Sequence, residues 1–470
     1  MIWSSASVAQ ALEQFGTLPR WFQAVSDPDA VRTSIERHAP EFASGELELR
    51  ECTVERVRLK PLSQTALYRV SYVDGTTGLE HVVDLVGEIV SPDVVEPDPG
   101  TNDAPFGTEG WHCYVPELRV ALTVSAPEDW LPALPALTDP EQARDLLEQA
   151  IRACSPTYRE LRIRRANPRV MRAKASRSTV LYELESDGDP RAPSPVIAKT
   201  YRGDKGQNAY TGMQAMWNSE LGTSRAVSIA EPLAFVPELN VLVQGPVRGE
   251  STLKGLTRDA FAAETPGSLA ELTVYVDKTA AGLAALHTSG VMHGSTVSWA
   301  DRVADVEETV GRVTALAPEL ADAAASLVNR LEERAASLSP DPPVPTHGSF
   351  RPNQVLLNAG EIGFIDFDRF CQSEPGLDVG SFCAALKDAG RLDTGDRDAR
   401  QARLAHLDEV REQFLQGYER IASISRERLA LWETLDLFNA VLDCWTKMEA
   451  GLEARLELLQ HHLDAIDLAT

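Results

Sequence analysis

Pro345-Thr-His-Gly-Ser-Phe-Arg-Pro-Asn-Gln-Val-Leu-Leu357, followed by a short turn over 358–361 and then Ile362-Gly-Phe-Ile-Asp366-Phe-Asp368, is the stretch that decides the fold. Residues 347–354 read as a polar loop, and Val355 to Leu357 as a strand. Ala359-Gly360 is a tight-turn pair, and Ile362 to Ile365 is a second apolar strand ending on Asp366. The predicted hairpin places the loop's side chains and Asp366 side by side at one end of a small rigid sheet.

Working outward, an internal repeat appears upstream. Met171, Arg172, Lys174, Thr179, Leu181 and Tyr182 follow Val57, Arg58, Lys60, Thr65, Leu67 and Tyr68 at a constant offset of 114 (171 − 57). Val115-Pro-Glu-Leu-Arg-Val recurs as Val236-Pro-Glu-Leu-Asn-Val, offset 121 (236 − 115). Two matches in the same order indicate a duplicated β module with about seven residues added in the second copy. Each copy reads as a hairpin, the Asp74-Gly75 turn echoed by Asp187-Gly188.

The copies differ where chemistry is expected. Copy two runs Pro195-Val-Ile-Ala-Lys199-Thr-Tyr, a buried strand bearing one lysine, then a helix over 208–221. In copy one Leu85 stands in place of the lysine, and Ser91-Pro-Asp-Val-Val-Glu-Pro-Asp-Pro-Gly100 cannot form the helix. The first copy is therefore expected to be a structural cap or a docking platform.

Before the first module, 6–15 and a run capped by Asp27-Pro28-Asp29 are predicted helical. After Val241-Leu-Val-Gln244 the pattern turns helical over 268–287, 304–337 and from 377 to the end. A chain of 470 residues, 43% hydrophobic, is long for one domain and well able to form a core. The net charge of −25 argues against long nucleic acid as a partner. It suits a cationic small molecule or basic peptide, or simply solubility. No window suggests a membrane span or secretory signal, and the six cysteines lack CxxC spacing. A cytoplasmic protein with reduced thiols is expected.

The 345–368 layout resembles the catalytic and metal-binding loops of the kinase fold, and most closely the aminoglycoside phosphotransferase-like family. That family carries His-Gly-Asp, an Asn five residues on, and a strand ending in Ile-Asp. His347, Gly348 and Asp366 match; Ser349 stands in the Asp position and Gln354 in the Asn position, a degenerate catalytic loop. The resemblance implies an α+β, bilobal protein-kinase-like fold preceded by an extra N-lobe-like β module. The expected division is 1–155 (helical segment and first module), 156–245 (N-lobe) and 246–470 (helical C-lobe).

The resemblance also implies ATP and Mg²⁺ as cofactors and a hydroxyl acceptor on a small molecule or a peptide Ser/Thr. Asp366 matches the metal-binding Asp, with Gln354 as a second ligand one methylene farther out. Lys199, on Val-Ile-Ala-Lys, matches the phosphate-binding lysine; a surface lysine on an edge strand is the alternative. Its partner carboxylate is open, Gln214 and Glu220 being the residues within range. The phosphate loop falls at 174–179 without a glycine, and Lys174 and Arg177 are candidates to clamp phosphate by side chain. Seven basic residues between Arg162 and Arg177 form either a positive patch or a solvated strand face. Gln244 marks the interlobe hinge beside the nucleotide.

Ser349 cannot act unaided as the base that an Asp would supply, which leaves Asp368 as candidate rescue base and a catalytically impaired pseudokinase as the alternative function. His347 is a loop anchor or site residue, Asp378 a loop-bracing carboxylate, and the second His-Gly-Ser at 293–295 a coincidence. A protein partner is expected through residues 45–135.

Overall fold

The computed structural model describes residues 14–16, 20–60, 63–90, 104–124, 133–174, 177–187, 192–201, 203, 205–223, 226–249, 251–315, 317–392, 396–447, 449 and 451–469. These fall into two compact units, Met1–Pro127 with Ala300–Ser337 and Thr434–Thr470, and Glu128–Trp299 with Leu338–Glu433. This partition differs from the linear 1–155, 156–245, 246–470 division: the first unit draws two later helical segments to itself. Among the described residues no helix is long and apolar enough to cross a membrane.

In the first unit five antiparallel strands, β1 (Leu47–Lys60), β2 (Ser63–Asp74), β3 (Glu80–Ile89), β4 (His112–Val115) and β5 (Val120–Val124), lie in the order β1-β2-β3-β5-β4. Alternation buries Val57, Leu59, Ala66, Tyr68, Val70 and Leu85 on one face, against Val31 and Ile35 of the helix Pro28–His38. That helix starts where predicted, its N-cap Asp27 accepting from the backbone of Asp29 and Ala30. Of the helix expected over 6–15, residues 6–13 lie outside the described residues and Gln14–Gly16 form a 3-10 turn; the proline-rich 91–100 also lie outside them.

In the second unit β6 (Ile163–Lys174), β7 (Arg177–Ser186), β8 (Val196–Thr200), β10 (Pro232–Val236) and β11 (Val241–Gln244) form a sheet of order β6-β7-β8-β11-β10. The remaining short strands are β9 (Ser228–Ile229), β12 (Ser251–Thr252), β13 (Val344–Thr346), β14 (Val355–Asn358), β15 (Glu361–Phe364) and β16 (Cys371–Ser373). They make a four-stranded sheet, β12-β14-β15-β9, and a β13-β16 pair. Helices Pro140–Cys154, Lys205–Trp217, Leu253–Ala263, Pro266–His287, Gly376–Gly390 and Arg397–Glu419 also belong to this unit.

The two five-stranded sheets repeat each other in detail. The strand order is the same, and the first register shift falls at Leu49/Glu51 in one and at Ile163/Arg165 in the other, again 114 residues apart (163 − 49). Tyr68 donates its hydroxyl to Val25 O (3.0 Å) and Tyr182 to Leu137 O (2.6 Å), both phenols fully buried. Arg119 and Asn240 take left-handed φ of 51° and 50° after the two Val-Pro-Glu-Leu segments. Asp139 caps the helix Pro140–Cys154 as Asp27 caps Pro28–His38, each with proline at the first helical position. Leu85 is wholly buried where Lys199 stands in copy two.

Candidate functional site

The hairpin comes out as predicted, with its strands one residue shifted at their ends. Ala359 (φ 47°) and Gly360 (φ 86°) supply the two positive-φ residues of a tight two-residue turn, pairing Asn358 with Glu361 and Val355 with Phe364. β15 ends at Phe364, and the backbone then turns so that Asp366 sits at φ +78°. An Asp in the left-handed region stores strain of about 1–3 kcal/mol, held only where surroundings enforce it.

Those surroundings are the 347–350 loop. Asp378, fully buried at the start of the helix Gly376–Gly390, accepts from the backbone N–H of His347 (2.5 Å), Gly348 (2.9 Å) and Phe350 (3.4 Å). Gly348 has φ +79°, and a Cβ there would lie 2.0 Å from Arg369 O, so only glycine fits. His347 donates from Nε2 to Ile365 O (2.9 Å) and packs its ring on Phe367, with Nδ1 buried and unpartnered. His347 is thus an anchor tying the loop to the residue before Asp366. The other His-Gly-Ser is not remote: Gly294 faces Phe370 O and Cys371 as Gly348 faces Arg369, and His293 stacks on Phe370.

Lys199 and Asp366 converge. Nζ lies 3.2 Å from Asp366 Oδ1, with Lys199 buried on β8. Arg177, at the start of β7, spans two carboxylates, Nη2 to Asp366 Oδ1 at 2.5 Å and Nη1 to Asp368 Oδ2 at 2.6 Å. Tyr201 completes the group: its hydroxyl donates to Asp368 Oδ1 (2.6 Å), and the Arg177 guanidinium lies 5.5 Å from its ring centroid. The register Thr179↔Lys199 puts Arg177, Lys199 and Tyr201 on one face of the sheet.

Burial alone would raise the Asp366 carboxyl, but Lys199 and then Arg177 outweigh it and hold it well below the ordinary carboxylate range. Asp368 is pushed up, by burial first and by Asp366 next, against the opposing pull of Lys199 and Arg177. Burial and the neighbouring Asp368 raise Tyr201 well above its usual value.

A cavity of about 320 Å³ opens on this group, lined by Arg177, Tyr201, Lys205, Ser349, Asp366, Asp368 and Arg369. Three cations face two carboxylates there, and Lys199 adds a fourth positive charge at Asp366.

Several expectations meet the structure differently. Lys199 takes Asp366 as its carboxylate rather than a helix residue, and Gln214 donates instead to Tyr210 Oη (2.8 Å). Gln354 commits its amide oxygen to the Arg351 N–H (2.9 Å) and turns its nitrogen toward Ser349 (3.4 Å). With Asp366 and Asp368 engaged by cations, the donors do not fit a resident Mg²⁺, which requires a near-octahedral set of oxygens. Among the described residues no group of three or more His, Cys, Asp or Glu is placed to hold a metal.

The basic run is largely a neutralised strand face: Arg162 pairs with Glu148, Arg164 with Asp187 and Arg165 with Glu185. Gln244 is buried in the sheet, opposite Ile197 and Pro232. The side chain of Lys174 and the turn residues 175–176 lie outside what is described. Tyr201, Lys205 and Arg369 escaped the sequence reading. Tyr201 carried a signal, since it lies two residues beyond Lys199 and so shares its face.

Residues 217–432 match the model of a family described as Phosphotransferase enzyme family (APH). No curated protein matches the chain. Among similar solved structures, a glucosamine kinase in complex with glucosamine, ADP and inorganic phosphate is 15% identical, over 97% of this chain and 100% of that one, at TM-score 0.46. A thermostable mutant of aminoglycoside phosphotransferase APH(4)-Ia, in a ternary complex with ADP and hygromycin B, is 13% identical, over 64% and 92%, at TM-score 0.42. A choline/ethanolamine kinase family protein from Mesorhizobium loti is 13% identical, over 64% and 87%, at TM-score 0.39.

Proposed function

We propose, from the match of residues 217–432 to the phosphotransferase enzyme family model, that the chain uses ATP to phosphorylate a hydroxyl of a small molecule or of a peptide Ser/Thr. The supporting observation is the convergence, at 3.2 Å, of the Lys199 amine from β8 and the Asp366 carboxylate from the turn after β15 beside a cavity that Ser349 also lines.

Lys199 and Arg177 are the groups to neutralise phosphate charge, Lys199 as a point charge and Arg177 from its seat on Asp366 and Asp368. Ser349 faces the acceptor hydroxyl. Asp368 is the second carboxylate of the cavity and the group placed to accept the acceptor's proton, burial raising its proton affinity. Lacking the family's Asp slows transfer by roughly 10²–10⁴-fold, yet phosphoryl transfer draws chiefly on positioning and charge neutralisation, which this cavity retains.

A second reading, a catalytically impaired nucleotide-binding protein with the first β module as its docking platform, is favoured by one observation. A guanidinium already bridges the two carboxylates that a working site would keep open.

Thermal shift with ATP, followed by ATP consumption with a panel of hydroxyl acceptors, tests both. Lys199→Met is expected to abolish nucleotide stabilisation and Ser349→Ala to preserve it; equal loss in both contradicts the assigned roles. Binding without turnover for any acceptor selects the second reading. Wild-type protein that ATP does not stabilise defeats both.

A further inference from the structure

We propose that Arg177 occupies the place of a divalent cation between Asp366 and Asp368, so that the cavity holds the phosphates of ATP without a metal ion. The assignment rests on the nucleotide reading above and concerns only how the phosphates are held.

The usual work of a metal in such a cavity is to sit on a carboxylate and cancel phosphate charge. A guanidinium can do both when its planar fork meets two acceptors at once, a geometry lysine cannot supply. Arg177 meets Asp366 at 2.5 Å and Asp368 at 2.6 Å with separate nitrogens. It is seated from below by the Tyr201 ring, and Tyr201 in turn donates to Asp368, so carboxylate and guanidinium are fixed by one phenol. Its side chain is only 25% exposed, unlike a loose surface arginine.

Two independent observations favour an anion as the ligand of this cavity. The Arg177 Nε–H is buried with no acceptor, in a residue whose other nitrogens are already committed. Lys205 and Arg369 line the same cavity, leaving it more positive than the two carboxylates can offset. A divalent cation entering here meets a surplus of like charge and must first detach a guanidinium from both carboxylates. A phosphate meets donors.

The sequence departures then share one cause. A glycine-rich loop brings backbone N–H groups to phosphate, and a side chain clamp at the β6–β7 turn makes those glycines unnecessary. An amide in place of a carboxylate or a free Asn oxygen at 354 is harmless if no metal needs that ligand. Gln354 accordingly supports the loop through Arg351 and Ser349.

Calorimetric titration with ATP, in EDTA and in Mg²⁺, tests the assignment on the full chain. Wild-type affinities are expected to agree within about threefold between the two conditions. Arg177→Ala should lose at least tenfold of the EDTA affinity, the equivalent of one charge-assisted hydrogen bond, and should become Mg²⁺-dependent. Arg177→Lys keeps charge without the fork and should lie between them, and it serves if the alanine variant does not fold. Titration with Mn²⁺ alone, read by electron paramagnetic resonance, should show no bound ion in wild type and one in Arg177→Ala. Wild-type binding of ATP only with Mg²⁺, or Mn²⁺ bound by wild type, overturns this assignment while leaving the nucleotide reading in place. No ATP binding in either condition overturns both.

Discussion

Asp378→Asn isolates the strut on which the candidate site hangs. The carboxylate is wholly buried, and its two oxygens divide the work: Oδ2 takes the His347 N–H and lies 3.3 Å from His287 Nε2, while Oδ1 takes the N–H of Gly348 and of Phe350. Asparagine keeps one acceptor oxygen. If its amide nitrogen turns toward His287, that ring can answer by shifting its proton to Nδ1 and donating to Tyr418 Oη, 2.7 Å away, but the His347 N–H is stranded. If it turns the other way, Gly348 and Phe350 are stranded. One buried N–H left unpaired costs roughly 1–3 kcal/mol, and demoting the surviving bonds from charged to neutral about 1 kcal/mol more. A loss of roughly 2–4 kcal/mol lowers the transition of the unit containing the loop by roughly 4–16 °C. Calorimetry reads the shift, and hydrogen exchange over 347–350 should quicken with it. A transition within 1 °C of wild type, with exchange unchanged, would show that Asp378 does not carry the loop.

Two further outcomes follow from the same geometry. Gly348→Ala drives a Cβ to 2.0 Å from Arg369 O at a φ of +79°, so it should unfold the loop and destabilise by roughly 2 kcal/mol or more; wild-type stability in chemical denaturation would mean that the backbone has another conformation available. Asp366, held below its ordinary value of 3.8, stabilises the folded state above that pH and loses this contribution as pH falls from about 4 toward the lower folded value. Asp366→Asn tolerates the same left-handed φ, so the thermal gap between it and wild type should be widest near pH 6–7 and close below pH 4. A gap that stays constant from pH 7 to pH 3 contradicts an electrostatic role for the carboxylate, Asp368 titrating alongside it.

Much of this was legible because the signals are local. The hairpin followed from an Ala-Gly turn between apolar runs, Asp27 announced its helix, and the repeat aligned Tyr68 with Tyr182, which make the same buried phenol-to-carbonyl bond. Lys199 could be read because an alternating strand places a lone charge among apolar neighbours. What escaped was where the long side chains go. Arg177 was singled out, yet its partners lie 189 and 191 residues away, and no periodicity links positions that only a folded sheet brings together. Gln354 looked like a ligand by position, while its oxygen is spent three residues back on the Arg351 N–H, a contact of loop geometry rather than of sequence pattern.

The missing glycine, the serine at 349 and the glutamine at 354 each read, taken singly, as loss of an active site. Taken with the coordinates they separate into two kinds. On the proposed reading the glycine and the glutamine bear on how phosphate charge is met, and for that the cavity is well supplied, since Arg177, Lys205 and Arg369 line it and Lys199 reaches Asp366. On the same reading Ser349 bears on the acceptor's proton, and among the described cavity residues Asp368 is the carboxylate left for that, engaged by Tyr201 and Arg177. Charge neutralisation is therefore supplied in excess and proton removal is not. On the proposed reading, a phosphotransferase built this way should bind its nucleotide well and turn over slowly, limited by proton removal at Asp368. An acceptor hydroxyl that already sheds its proton readily would escape that limit.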